Sequence, residues 1–181
     1  MKHLIISDIH GDITGLETAL EVFRREGCDK LLILGDVLYH GPRNDLPEGY
    51  APKKVIAALN PLSDRIIAVR GNCDAEVDQM VLSFDVTTES RWLDLDGIRV
   101  LMTHGHKQST DTENLLKKGE ILLHGHTHVL KNQNFGDGNV YINPGSVSLP
   151  KEGNPKSYII YCDRAFTAYD FDGRVLFKRV L

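Results

Sequence analysis

Three apolar runs in the first seventy residues, at 2–7, 30–34 and 65–69, are continuous rather than alternating. Strands buried on both faces read this way, and they belong to parallel sheets covered by helices. The intervening segments suit that role. Residues 14–26 have helical spacing, with Leu16, Ala19, Leu20 and Phe23 on one face and Gly27 as the stop, and residues 53–59 give a second, shorter helix. A β-α-β-α-β rhythm of this kind predicts parallel strands joined by right-handed helical crossovers.

The second half of the chain reads differently. Runs at 92–95 and 98–103 flank Asp96-Gly97, a strong hairpin signal, and residues 120–123 form another buried run. Short strands are expected at 140–142, 157–162, 166–169 and 175–180, the last two separated by the tight turn Asp172-Gly173. This half is therefore expected to be mainly antiparallel. With no Pro/Ser-rich linker and no internal repeat, the reading is one domain over residues 1–181: two packed sheets with helices outside, an α/β fold. The loop at 40–52 holds three prolines and two glycines, and loops of this length are often functional.

The apolar runs stop at a particular kind of residue. Asp8 and His10 follow the first, Asp36 the second and Asn72 the third; His104 follows the 98–103 run, and His126 and His128 follow the 120–123 run. Ligands of α/β sheets collect beyond the carboxyl ends of strands, so five strand ends deliver seven polar groups to one rim. Singly, each group reads as a turn or a helix cap. Together they have no structural use, because burying them unpaired costs several kcal/mol apiece, about what metal coordination repays. The mixture of imidazole, carboxylate and amide without cysteine suits Mn, Fe, Zn, Co or Ni better than an all-oxygen Mg or Ca cage. Seven ligands exceed what one ion takes while leaving a place for substrate, which points to two ions sharing a carboxylate.

The strings Asp8-Ile9-His10, Gly35-Asp36, Gly71-Asn72-Cys73-Asp74, Thr103-His104-Gly105-His106 and Gly125-His126-Thr127-His128 occur in the order of the calcineurin-like metallophosphoesterases. Residues 35–44 and 143–147 sharpen the resemblance to their small bacterial and archaeal phosphodiesterase branch, over roughly residues 1–160. The resemblance implies a four-layer αββα sandwich. It also implies a first metal on Asp8, His10 and His128, a second on Asn72, His104 and His126, and Asp36 bridging them. The expected cofactors are two divalent ions, Mn first, with Zn, Fe, Ni, Co or Mg as alternatives. The expected reaction is hydrolysis of a phosphate ester, most of all a diester, by in-line attack of a hydroxide bridging the ions. Arg43 is a candidate for stabilising the developing charge. Many family members have His where this chain has Cys73, and a thiol is a poor substitute for imidazolium. His106 or His40 is the other candidate for leaving-group assistance, and His106 could instead act in support of the ligands.

Composition narrows the rivals. A net charge of -4 gives no general attraction to nucleic acid or anionic membranes, which disfavours a nuclease and predicts a small phosphate-ester substrate. Three scattered cysteines suit a reducing compartment, and no apolar stretch suits a signal peptide or a membrane span, so a cytoplasmic protein is expected. A homo-oligomer is expected from apolar strands near the chain end that lack an assigned partner. The competing reading is a metal-binding interaction scaffold of the same fold with little or no catalysis. Such scaffolds tend to lose ligands, and this chain keeps all seven.

Overall fold

The computed structural model describes residues 1–112 and 115–181. Its strands are β1 (His3–Ile6), β2 (Lys30–Ile33), β3 (Ile66–Ala68), β4 (Ser90–Leu95), β5 (Ile98–Thr103), β6 (Ile121–Leu123), β7 (Leu130–Phe135), β8 (Asn139–Pro144), β9 (Ser157–Cys162), β10 (Ala165–Asp170) and β11 (Val175–Val180). The helices are α1 (Ile13–Arg25), α2 (Pro52–Leu59) and the single turn α3 (Glu76–Gln79), with a 3-10 segment at Asn60–Arg65 after α2. No helix among the described residues is long and apolar enough to cross a membrane.

The first sheet has the order β11-β10-β9-β1-β2-β3. Its β1, β2 and β3 are parallel, as the continuous apolar runs required, while β9, β10 and β11 form an antiparallel meander attached to β1. Alternate side chains of these strands serve two cores. Leu4, Ile6, Leu31 and Ile33 meet Leu16, Leu20 and Phe23 of α1 and Val55 and Leu59 of α2. Ile5 and Leu32 point the other way, into a core shared with Val100, Met102, Leu123 and Ile142 of the second sheet. Asp12 starts α1 as N-cap, its carboxylate accepting from the Thr14 backbone N–H at 2.9 Å.

The second sheet has the order β4-β5-β6-β8-β7. Antiparallel pairs predominate in the second half of the chain, as expected, but not at the centre of this sheet. The central strands β5, β6 and β8 are parallel, and only the edges β4 and β7 are antiparallel. The long connections that follow β5 and β6 return each chain segment to the same end of the sheet. The carboxyl ends of both strands therefore open on one rim. Asp96 and Gly97 form the expected turn, both with positive φ (55° and 82°), as a two-residue hairpin loop requires.

The two mixed sheets with flanking helices agree with the expected sandwich. Over the second sheet's outer face, Leu101, Leu122 and Tyr141 are covered by Leu115, Leu116 and Phe135. Leu115 and Leu116 belong to a loop segment rather than a helix, and Phe135 to the edge strand β7. Strand β7 has no counterpart in the sequence reading, because its interior, Lys131 to Asn134, is exposed at the sheet edge and carries no apolar pattern.

Candidate metal centre

The seven expected ligands meet at the rim where the two sheets abut. Asp8, His10, Asp36 and Asn72 come from the loops after β1, β2 and β3; His104, His126 and His128 come from those after β5 and β6. Five of them sit on left-handed backbone: Asp8 (φ 55°), His10 (49°), Asp36 (57°), His126 (66°) and His128 (59°). L-residues avoid this region, and clusters of such residues mark strained functional loops. Close backbone approach completes the construction. A β-carbon at Gly71 would collide with the Asp36 carboxylate, and one at Gly125 with the Ser7 hydroxyl.

The hydrogen-bond pattern fixes the proton on each key imidazole. Nδ1 of His10, His104 and His128 donates to the carbonyl oxygens of Tyr39 (2.8 Å), Leu34 (2.6 Å) and Leu149 (2.6 Å). In the neutral rings Nε2 is then a bare lone pair. These lone pairs face other acceptors. His10 Nε2 lies 3.2 Å from His128 Nε2 and 3.6 Å from Asp36 Oδ2. His104 Nε2 lies 3.0 Å from Asn72 Oδ1, 3.2 Å from His126 Nδ1 and 3.4 Å from the same Asp36 Oδ2. Asp8 Oδ1 is buried with no hydrogen-bond partner among the described residues, 3.3 Å from His128 Nε2.

Acceptors converging on acceptors repel one another unless something positive lies between them. The ligand atoms of Asp8, His10 and His128 fall within 4.8 Å of one another, as do those of Asp8, Asp36 and His104, so the residues fit divalent cations. Asp36 Oδ2 faces both groups, while its Oδ1 accepts from the Cys73 N–H at 2.8 Å. The electrostatics carry the same demand. Burial opposes ionisation of Asp8, yet the His10 hydrogen bond and the imidazole charges hold it below the usual carboxylate range. His104 would be pushed down by burial, but Asp36, Asp8 and the Leu34 carbonyl raise it to about 9. A proton there answers the same negative field that a cation would.

The remaining candidates are placed as follows. Cys73 lines the cleft beside the cluster, and burial, with the Asp36 charge next, pushes its thiol up to about 12. Arg43 lines the same cleft from the 40–52 loop. His106 does not line it; its ring lies 5.4 Å from that of His104 and 6.2 Å from that of His126. His40 packs edge-on against Tyr39 and Tyr50.

Two positioning residues had no assigned role in the sequence reading. Asp74 is buried and accepts from the backbone N–H groups of Asp36 (2.8 Å), Val37 (2.8 Å) and Gly71 (2.7 Å), locking two ligand loops together. Asn143, fully buried, donates to the Gly125 carbonyl at 2.9 Å and the Thr127 hydroxyl at 3.1 Å, holding the His126–His128 loop from behind. Both residues lay inside quoted motifs, but only the folded backbone reveals which loop each one ties.

A two-sheet sandwich carrying a cation-demanding cluster at its rim defines a class. The chain belongs to the calcineurin-like phosphoesterase superfamily, whose domain matches residues 1–163, and phosphoester hydrolysis is its chemistry. Within that class it is 49% identical over 158 residues to phosphodiesterase YfcE of Escherichia coli (strain K12), covering 87% of this chain and 85% of that one. The solved structure of YfcE, described as a phosphoesterase from E. coli, superposes with a TM-score of 0.95 at 43% identity over 99% of both chains. Phosphodiesterase MJ0936 of Methanocaldococcus jannaschii is 29% identical over 80% of this chain and 83% of its own.

Proposed function

We propose that the protein is a phosphodiesterase acting on a small phosphate ester with two divalent ions. Asp8, His10 and His128 would hold the first ion and Asn72, His104 and His126 the second, with Asp36 shared. The observation that carries this reading is the convergence of imidazole nitrogens and carboxylate oxygens around Asp36 Oδ2. Preference for diesters draws support from the phosphodiesterase relatives.

Bound divalent ions supply Lewis acidity that polarises the phosphoryl group and acidifies water for in-line attack. The chain's residues do the positioning. The carbonyls of Leu34, Tyr39 and Leu149 hold three imidazoles in the tautomer whose lone pair faces the site. Cys73 remains a thiol and is a weak hydrogen-bond donor to a departing oxygen. Arg43 is within the cleft, available to phosphate oxygens of the substrate. His106, set back from the cleft, supports His104 and His126. Manganese is the preferred metal in this proposal, and the free cysteines Cys28, Cys73 and Cys162 fit a cytoplasmic setting. The test is hydrolysis of bis(p-nitrophenyl) phosphate by exhaustively chelated protein, before and after adding Mn, Zn, Fe, Ni, Co or Mg. Activity should vanish on chelation and return best with Mn; undiminished hydrolysis by metal-free protein would overturn the reading.

A further inference from the structure

The cleft beside the cluster has a volume of about 480 Å³, within the range of sites that take a whole small molecule. Its cationic lining comes from three separate stretches of chain: Arg43 from the 40–52 loop, Arg70 just after β3, and Lys151 from the loop after β8. Arg70 is committed elsewhere, donating to the Asp74 carbonyl at 3.2 Å and pairing with Glu76 at 3.2 Å. Arg43 and Lys151 form no ion pair among the described residues. Lys151 is nevertheless fixed to the site, since its backbone N–H donates to the His128 carbonyl at 3.1 Å.

Two divalent cations set against the carboxylates of Asp8 and Asp36 and an attacking hydroxide leave about one positive charge, which already matches a single diester phosphate. Neutralising the scissile group therefore does not call for two further free cations in an acidic protein. A second anion on the substrate does. We infer that the cleft selects phosphodiesters carrying a second phosphate group, with Arg43 and Lys151 as specificity-determining residues; this rests on the phosphodiesterase reading above. Tyr39, 43% exposed, lines the same cleft and adds aromatic surface beside these cations.

The test uses a matched pair with one leaving group: thymidine 5′-(p-nitrophenyl phosphate) and the same compound phosphorylated at the 3′ position. The Mn-loaded protein should favour the 3′-phosphorylated ester by roughly tenfold in kcat/KM, mainly through KM, since each exposed cation is worth about threefold. The preference should shrink as salt is raised. Arg43→Gln and Lys151→Gln should each lower the ratio to about threefold, and the double variant should bring it near one. Equal cleavage of both esters by wild type would overturn the inference and leave the phosphodiesterase reading intact. A preference surviving in the double variant would overturn the role of these two residues. Failure to cleave either ester, with bis(p-nitrophenyl) phosphate also intact, would instead defeat the phosphodiesterase reading. Calorimetry with the products decides the second-phosphate site without turnover. Thymidine 3′,5′-bisphosphate should bind more tightly than thymidine 5′-monophosphate, and equal affinities would reject the site.

Discussion

Asp36 Oδ2 lies 3.6 Å from His10 Nε2 and 3.4 Å from His104 Nε2, so substitution at this position separates charge from shape at the middle of the cluster. Asp36→Asn keeps the volume but removes a negative charge that the two proposed ions would share. Bound metal should fall below two per chain by elemental analysis, and turnover of bis(p-nitrophenyl) phosphate should drop by roughly 10²-fold or more. A variant with full metal content and activity would show that the bridge lies elsewhere. Cys73 makes a subtler prediction. A thiol pushed up to about 12 is a poor proton donor, so rates should depend steeply on leaving-group pKa, phenolic esters far outpacing alkyl ones. Cys73→Ser should change little, and Cys73→His should flatten that dependence, recovering part of the roughly 10²–10⁴-fold that general acids supply. A flat series for wild type, or an inactive serine variant, would reject the weak-acid account. At this scale the sequence was informative about residue type and silent about backbone. Asp, His and Asn stood at strand ends in plain view, while their left-handed φ values and the three loop bonds of Asp74 depend on contacts far along the chain.

Loops and strands carry the ligands, and here the buried polar supports matter most. Removing Asn143 deletes its bonds to the Gly125 carbonyl and the Thr127 hydroxyl, and since that carbonyl keeps the Thr127 N–H at 2.7 Å, the loss is about 0.5–1.5 kcal/mol per bond. Asn143→Ala should lower Tm by several degrees and weaken metal retention, since the freed loop bears His126 and His128. An Asn143→Ala protein with unaltered metal affinity would reject its positioning role. The same scale explains what was and was not legible. Strands β1, β2, β3 and β6 were readable because both faces are buried along an apolar run, and β5 because its buried stretch follows a hairpin signal. Strand β7 escaped because an exposed edge needs no apolar residues, and α3 because a four-residue turn has no period to detect. The parallel centre of the second sheet was hidden for another reason: strand direction is set by long connections whose sequences carry no direction signal.

For the whole molecule, removing the metals should change how stability depends on pH. His104 is raised to about 9, so in metal-free protein its protonated form adds stability that is complete below its ordinary 6.5 and lost as pH rises through about 9. His124, buried against Tyr141, is lowered to about 4 by burial and by the neighbouring His104 and His126, against the pull of the Gly125 carbonyl. It must stay neutral, so it costs stability as pH falls from 6.5 towards 4. The Tm of chelated protein should therefore peak near neutrality and decline on both sides. Saturating metal should remove the alkaline decline, because the His104 lone pair is then occupied at every pH in that range. A chelated Tm that climbs steadily from pH 7 to 9 would contradict this assignment. The seam between the sheets has a wider consequence. Neither sheet owns a complete set of the proposed ligands, so the proposed centre would measure how one sheet sits on the other. Ile5, Leu32, Met102 and Leu123, remote from any phosphate, set that alignment through the core they share. Misplacement by about 1 Å can cost around 10²-fold in rate. Drift in these core positions is therefore answerable to chemistry before it is answerable to folding, and the interior of this protein should evolve at the pace of its active rim.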